Sequence, residues 1–292
     1  MARGDRRHPE NVAGDWFVDD RCIGCGGSVS LAPTLFGPAI DGEHFVMTRQ
    51  PATEDEILQA QLAAEVCPSR SIGTESGVTW RRHHPLEITP GTWRTGSNSP
   101  KTAGGNAFLV QRTEGNILVD APRFTPSLCA WMESLGGITA ILLTHRDDVG
   151  DAERYADALG SEVVIHAADA DAAPFAGRIL RSAETCEVAA GVLAIPTPGH
   201  TEGHVMYLND DGTLFTGDSL GWDPYRHDLS AEPSVCWHSW PAQVGSLQRL
   251  DGFNFARVVP THGTMSPTLE PDDMRRRLQA LVARLQRDLA DE

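Results

Sequence analysis

Side chains that bind metals recur in this chain where apolar segments end. Apolar segments lead into His145, His200, Asp218 and His262, in that order along the chain. Each segment has the composition of a buried strand, and strand ends in a layered α/β fold meet along one edge. Because imidazole and carboxylate groups are ligands for zinc, iron and manganese, the four positions predict a metal site at that edge.

Two parts of different character divide the 292 residues. Residues 1–76 contain short strand segments, a glycine-rich loop and a helix that begins at Thr53, whose side chain can form a capping box with Glu56. Residues 77–292 alternate apolar strand segments with helices and end in an amphipathic helix. We therefore expect two domains, 1–76 and 77–292, with an α/β architecture in the second.

The motifs of the second part resemble those of the metallo-β-lactamase superfamily. The segments VDAP (119–122), GHTEGH (199–204), TGDS (216–219) and PTHG (260–263) fit the family's pattern across most of residues 80–290. The resemblance implies an α/β (α+β) fold, the αββα sandwich, with two sheets face to face and metals at one edge. Familiar members hydrolyse thioesters, lactams, lactones, phosphodiesters and RNA, and other members are iron enzymes.

The leading metal motif departs from the family's T-H-x-H-x-D-H. His145 is followed by Arg-Asp-Asp-Val-Gly-Asp, so that valine and glycine, which cannot ligate a metal, replace two ligands. Carried over by position, the metal ligands are expected among His145, Asp147, His200, Asp218, His262 and Asp151. One zinc or iron ion, or an atypical pair of ions, is therefore favoured over the ordinary two-zinc centre.

Three further residues receive roles beside the ligands. Asp147 and Asp148, if they do not ligate, can accept a proton from an attacking water. His204 is expected behind the ligands, where it would orient a ligand or the substrate. In the resemblance, His145, His200 and Asp218 match positions that hold iron in the persulfide dioxygenases, a two-histidine, one-carboxylate set that also suits zinc.

The first part resembles a single-cluster bacterial ferredoxin over roughly residues 14–74. Cys22 and Cys25 form a C-x2-C pair and Cys67 precedes Pro68, but Ser28 stands at the third cysteine position. Three thiolates can hold a 3Fe–4S cluster, and a 4Fe–4S cluster would need the Ser28 oxygen or an outside ligand. The alternatives are a ferredoxin-like packing module without a cluster, or zinc on the three cysteines and a histidine.

Composition limits the partners. The formal net charge of −16 argues against nucleic acid and anionic membrane surfaces. No apolar stretch is long enough to cross a bilayer, no secretory signal is visible, and six cysteines without a pairing framework suit a reducing cytoplasm. We expect a cytoplasmic protein that acts on a small molecule.

Three functions remain open from the sequence. The favoured one is a hydrolase that attacks a small ester or thioester through a metal-bound hydroxide. The alternative is a non-haem iron oxidoreductase that receives electrons from the N-terminal Fe–S domain or another electron-transfer partner. The third is a non-catalytic binding protein that keeps the folds of two enzyme domains.

Overall fold

The computed structural model describes residues 2–291. The helices are α1 (Gly27–Leu31), α2 (Glu54–Val66), α3 (Pro126–Ser134), α4 (Ala152–Leu159), α5 (Trp240–Arg249) and α6 (Pro271–Ala290). The strands are β1 (Trp16–Val18), β2 (Phe36–Pro38), β3 (Phe45–Met47), β4 (Ile72–Thr74), β5 (Leu86–Thr89), β6 (Thr92–Arg94), β7 (Phe108–Val110), β8 (Ile117–Val119), β9 (Ala140–Leu142), β10 (Glu162–His166), β11 (Arg178–Leu180), β12 (Cys186–Ala189), β13 (Val192–Pro196), β14 (Val205–Asn209), β15 (Thr213–Gly217), β16 (Gly221–Asp223), β17 (Asp228–Ser230) and β18 (Arg257–Pro260).

The N-terminal part consists of two small antiparallel strand pairs and two helices. Strand β1 pairs with β4, and β2 pairs with β3. The expected capping box starts α2: the Thr53 side chain accepts the Glu56 N–H, and the Glu56 carboxylate accepts the Thr53 N–H. Helix α2 then packs Ala60 and Ala63 into an apolar core with residues of β1 and β2, including Trp16 and Phe36. Strand β4 ends before the expected boundary at residue 76.

Two sheets form the centre of the remainder. The first has the strand order β11-β10-β9-β8-β7-β6-β5, and the second has the order β12-β13-β14-β15-β18. Successive side chains of a strand point to opposite faces of its sheet, and both faces of each sheet carry buried apolar side chains. Phe108 and Leu142 of the first sheet pack with Tyr207 and Phe215 of the second in a shared core, so the two sheets lie face to face.

Helices cover the outer face of each sheet. Helices α3 and α4 pack on the first sheet, where Met132 and Tyr155 join a core with Leu118. Helices α5 and α6 pack on the second sheet, and Leu278 and Leu281 lie on the apolar face of α6. The expected αββα sandwich is thereby confirmed.

The candidate ligands follow strands whose ends share one edge. Strands β13, β15 and β18 run in the same direction, and His200, Asp218 and His262 follow their carboxyl ends. His145 follows β9 of the facing sheet. No helix within residues 2–291 is both long and apolar enough to cross a membrane.

Candidate metal centre

His145 and His200 are held so that each offers the same nitrogen. The His145 Nδ1 donates to Thr144 Oγ1 at 2.9 Å, because the Thr144 hydroxyl itself donates to the Asp120 carboxylate at 3.0 Å. The His200 Nδ1 donates to the Val235 carbonyl at 2.5 Å. These bonds fix the tautomer with a lone pair on Nε2. Both rings are buried, and their Nε2 atoms have no hydrogen-bond partner within the described chain.

Asp218 completes a three-residue ligand set with these histidines. Its Oδ2 lies 3.7 Å from the Nε2 of His145 and 3.7 Å from the Nε2 of His200. The three ligand atoms lie within 4.8 Å of one another. Ligands of a tetrahedral zinc at ~2.1 Å are ~3.4 Å apart, so modest inward movement would close the set around one ion. The sequence-predicted trio is thus assembled at the edge.

Asp148 adds a buried carboxylate that lacks hydrogen-bond partners among the described residues. It is 1% exposed, and neither oxygen has a hydrogen-bond partner in the described residues. Its Oδ2 lies 3.4 Å from the His145 Nε2. Burial raises the Asp148 pKa well above its ordinary range, although the nearby His262 opposes this. A carboxylate buried in this way is costly unless a cation compensates it, and the unpartnered atoms of Asp148, His145 and His200 therefore fit a metal ion.

His262 contacts Asp218 rather than offering a free nitrogen. Its Nδ1 lies 2.9 and 3.0 Å from the two Asp218 oxygens, and its Nε2 donates to the Thr102 carbonyl at 3.1 Å. Burial lowers the His262 pKa, but the Asp218 charge and hydrogen bond outweigh burial and raise it to about 10. Burial alone would raise the Asp218 pKa, but His262, His145 and His200 hold it well below its usual range.

Asp148, Asp218 and His262 form a second group of close ligand atoms. His262, however, can bind a metal there only by giving up one of its two hydrogen bonds. The geometry therefore favours one ion, on the His145, His200 and Asp218 side.

Asp147 lies at the solvent side of the site. Its side chain is 51% exposed, and its Oδ2 lies 3.7 Å from the His200 Nε2 and 4.0 Å from the His145 Nε2. The nearby His200 imidazole holds the Asp147 pKa below its usual value, although partial burial opposes this. Asp147 is therefore placed to meet both a metal and an incoming molecule.

The structure does not bring Asp151 into the site. Its carboxylate accepts from Lys101 Nζ at 2.7 Å and from the Phe124 N–H at 2.8 Å. The pair with Lys101 outweighs burial and lowers the Asp151 pKa. In this arrangement the structure does not support Asp151 as the replacement for a lost ligand, because its oxygens already have partners.

His204 lies behind the ligands and has no nitrogen free for substrate. Its Nε2 accepts the Asp218 N–H at 3.3 Å, and its Nδ1 donates to Thr197 Oγ1 at 2.9 Å. Burial lowers the His204 pKa well below its usual value, so the ring is neutral. A Cβ on Gly217 would lie 2.3 Å from the His204 Nε2, so only glycine allows this packing. Both His204 nitrogens are therefore engaged within the protein, one of them by the Asp218 backbone.

Two buried aspartates that sequence analysis gave no role support the ligands. Asp120 accepts from Thr144 and from Thr261 Oγ1, and burial raises its pKa to about 7 despite these bonds. Asp169 accepts from the Arg146 N–H at 3.0 Å, the Thr201 hydroxyl at 2.6 Å and the Gly203 N–H at 3.2 Å. Asp120 stands in the quoted VDAP turn, whereas no motif marks Asp169.

A cavity in the N-terminal part is lined by the four residues proposed for an iron–sulfur cluster. Cys22, Cys25, Ser28 and Cys67 line this thiol cavity, and all described cysteines are free thiols. The Phe45 N–H donates to Cys22 Sγ at 3.4 Å and the Ser71 N–H donates to Cys67 Sγ at 3.3 Å. Hydrogen bonds of this kind to cysteine sulfur tune iron–sulfur clusters.

Burial raises the pKa of two thiols of this cavity. It raises the pKa of Cys22 and raises that of Cys25 to about 11, so these two thiols are protonated at neutral pH when no cluster is bound. Among the described residues the three cysteines and a histidine do not form a set tight enough for a single ion. The zinc alternative therefore loses support, whereas a cluster with its wider sulfur spacing does not need that closeness.

The thiol cavity and the metal centre touch through two adjacent glycines. A Cβ on Gly104 would lie 3.0 Å from the Cys25 Cβ, and a Cβ on Gly105 would lie 2.5 Å from the Asp148 Oδ1. The Gly105 distance is shorter than real Cβ atoms show, and the Gly104 distance is tighter than most real Cβ contacts. The Gly104–Gly105 loop therefore passes in contact with both sites.

A third group of metal-type ligands shares no residue with either site. His8, Asp41 and His44 offer atoms within 4.8 Å, and the Asp41 Oδ2 lies 2.8 Å from the His44 Nδ1. Asp41 is 38% exposed, and exposed acidic groups are common without an ion. Sequence analysis missed this group because its members do not share a motif.

Similar proteins agree with both parts of the chain. The family model described as the 4Fe-4S single cluster domain of Ferredoxin I matches residues 18–74, and the metallo-beta-lactamase superfamily model matches residues 92–254. A hydroxyacylglutathione hydrolase of Anaeromyxobacter dehalogenans is 36% identical over 186 residues, covering 58% of this chain and 64% of that protein. A protein of the same name from Acidiphilium cryptum is 34% identical over 125 residues, covering 41% of this chain and 51% of that protein.

Solved structures agree on the fold. The metallo-β-lactamase FIM-1 from Pseudomonas aeruginosa has a TM-score of 0.51 at 20% identity, covering 68% of this chain and 94% of that one. The chain spans less than two thirds of the length of the curated relatives named above. The superfamily model nevertheless covers more than half of this chain. The chain belongs to the metallo-β-lactamase superfamily, and its N-terminal part matches a single-cluster ferredoxin domain.

Proposed function

We propose that this protein is a metal-dependent hydrolase of a small ester or thioester. The observation that carries the proposal is the pair of unpartnered Nε2 atoms on His145 and His200, which face the Asp218 carboxylate. A bound zinc or iron ion would supply an activated water and polarise the carbonyl that is attacked. Relatives named hydroxyacylglutathione hydrolase, a name that denotes cleavage of a glutathione thioester, support the thioester as substrate.

The ligand set we propose is His145, His200 and Asp218, with Asp148 as a further protein ligand, so that the activated water would occupy a fifth position. Asp148 is chosen over Asp147 because its oxygens are buried and without partners. His262 orients Asp218 through their hydrogen bond, which leaves the Asp218 Oδ2 directed at the two histidines. This assignment gives a mononuclear centre.

Asp147 is the proton acceptor in this proposal. It is half exposed beside the two Nε2 atoms, and its lowered pKa keeps it ionised at neutral pH. An ionised carboxylate at this position can take a proton from water as the water attacks the acyl carbon, and can then give the proton to the leaving thiol or alcohol.

An exposed aromatic ring borders the same opening. The Trp237 ring centroid lies 6.1 Å from that of His200, and Trp237 is 67% exposed. Large exposed aromatic side chains beside a polar centre suit a substrate with an apolar portion. A small molecule is therefore favoured over a macromolecule.

The test is turnover by the metal-loaded protein with an acyl-glutathione thioester and the matched oxygen ester. Asp218→Asn is expected to lose both bound metal and activity, whereas Asp147→Asn should retain the metal and lose about 10²–10⁴-fold in kcat, the usual contribution of general base catalysis. Protein that holds one equivalent of metal and cleaves neither compound would contradict the proposal. That outcome would favour the non-catalytic binding protein.

A second candidate function is an iron oxidoreductase supplied with electrons by the N-terminal part. The specific observation in its favour is the Gly104–Gly105 loop, which contacts both Cys25 and Asp148. A hydrolase does not require an electron carrier in contact with its metal centre. Cys67→Ala separates the candidates: hydrolysis should persist in this variant, whereas a turnover that consumes electrons should stop.

A further inference from the structure

A cavity of about 310 Å³ lies between the N-terminal part and the sandwich. One wall is apolar and is formed by Ala64, Ile72, Val78 and Trp80. None of the residues proposed as ligands of the sandwich metal centre lines this cavity. Its volume lies at the lower end of the range of ~300–1,000 Å³ that is typical of small-molecule sites. The cavity is thus large enough for a ligand and separate from the metal centre.

Three arginines line the same cavity. They are Arg70, Arg82 and Arg123, in a chain whose formal net charge is −16. Within residues 2–291, none of the three forms an ion pair with a carboxylate. Burial lowers the Arg123 pKa and the charge of Arg70 lowers it further, while the charge of Asp151 opposes them. Three guanidinium groups that line one cavity without an ion-pair partner suit an anionic ligand, because guanidinium groups pair with carboxylate and phosphate.

The hydrogen bonds of Arg123 leave part of its guanidinium unused. Its Nη2 donates to the carbonyls of Pro68 at 3.1 Å and Asn98 at 2.9 Å. Its Nε is buried and has no partner among the described residues. The two carbonyl bonds therefore fix the position of the Arg123 guanidinium at the wall of the cavity.

The one carboxylate in the wall is already engaged. Glu65 accepts from the His84 Nδ1 at 2.8 Å, from the Trp80 Nε1 at 3.1 Å and from the backbone N–H groups of His83 and His84. Its side chain is 4% exposed. The Glu65 carboxylate therefore accepts hydrogen bonds from the 80–84 segment and does not form an ion pair with the arginines.

Backbone conformation also marks this cavity. Arg70 and Ser97 line it, and both have positive φ values, 55° and 57°. Non-glycine residues in this region carry strain, and such strain clusters at functional sites. The backbone thus holds Arg70 in a conformation that local preference alone would not select.

We propose that this cavity binds a small organic oxyanion, with a carboxylate or phosphate group on the arginines and an apolar body against Trp80 and Ile72. Guanidinium groups recognise both oxyanions through paired hydrogen bonds, and the apolar wall excludes a bare inorganic ion as the best ligand. Cys67 lines both this cavity and the thiol cavity. The Cys67 side chain therefore stands between the proposed anion and the thiol cavity.

Three probes with the same aromatic body test the proposal by isothermal titration calorimetry on the full chain. They are 1-naphthoate, 1-naphthyl phosphate and the neutral 1-naphthamide. We expect saturable binding of at least one of the anions at one per chain, with 1-naphthamide at least about tenfold weaker. The ratio of the two anions tells which head group is preferred. Equal affinities for all three, or no saturable binding of either anion, would overturn the proposal.

Variants tie the binding to this cavity. Arg70 and Arg82 are exposed, so the double change Arg70→Gln and Arg82→Gln should leave the fold intact and weaken the anion at least about tenfold. Arg81→Gln is the matched control, because Arg81 is exposed beside Arg82 and does not line the cavity. Unchanged affinity in the double variant would place the binding elsewhere and overturn the assignment.

Discussion

The Asp148 Oδ2 lies 3.4 Å from the His145 Nε2, and neither atom has a hydrogen-bond partner in the described structure. If both bind one ion, Asp148→Asn should weaken metal binding by more than about 100-fold, since even residues outside the ligand shell cost ~10–100-fold. Metal content after dialysis against a graded chelator measures the loss. Asp151→Asn is the control, because Asp151 pairs with Lys101 instead. Equal losses in the two variants would remove Asp148 from the ligand set.

Thr144 should matter to metal affinity without touching the ion. Its hydroxyl connects Asp120 to the His145 Nδ1, so Thr144→Val leaves that nitrogen without its acceptor and frees the ring to turn. We expect a loss of ~10–100-fold in metal affinity. Thr89→Val is the control, because the Thr89 hydroxyl is buried and already lacks a partner. An unchanged affinity in Thr144→Val would contradict the orienting role.

Ser28→Cys should increase the cluster content of the N-terminal part. Ser28 lines the cavity with the three cysteines and is 8% exposed, so its replacement offers a fourth thiolate for a 4Fe–4S cluster. The measurement is iron and acid-labile sulfide after anaerobic reconstitution. Ser30→Cys in the same helix is the control, since Ser30 does not line the cavity. Equal cluster contents in the wild type and both variants would refute a ligand position at residue 28.

Glu65 should stabilise the folded protein at neutral pH, and this contribution should be lost in acid. Burial raises its pKa, but hydrogen bonds from His84 and His83 outweigh burial and lower it to about 2, from an ordinary value of 4.5. This contribution, on the order of 3 kcal/mol, is fully present above pH 4.5 and declines as the pH falls towards 2.

Denaturant unfolding across that pH range tests the contribution of Glu65. In the Glu65→Gln variant, the free energy of unfolding should fall less steeply with acid than in the wild type. Glu184→Gln, at an exposed site, should follow the wild type. Parallel curves for all three proteins would rule out the coupling.

The sequence allowed the edge of the site to be predicted, but not which atoms face it. His145, His200 and Asp218 could be brought together because each follows an apolar strand, and strand order and direction determine where the ends meet. Strand position does not determine ring orientation, however. His262 occupies the expected place, yet its Nε2 is directed at the Thr102 carbonyl, a contact 160 residues apart in sequence.

Local motifs could be predicted more securely than long-range contacts. The capping box at Thr53 depends on residues three apart, and its hydrogen bonds form within one helical turn. The contact between Gly104 and Cys25 joins residues 79 positions apart in the sequence and leaves no mark in either segment. The same holds for the arginine-lined cavity, whose three arginines come from separate segments.

Asp169 has a consequence for any attempt to move this site to another protein. One buried carboxylate accepts hydrogen bonds from Arg146, beside one metal-ligand candidate, and from Thr201 and Gly203, beside another. It therefore acts as a spacer that sets how far apart His145 and His200 stand, although it belongs to neither motif. A graft that copied only the two histidine motifs would transfer the ligands without Asp169, the residue that holds the two motifs at their distance.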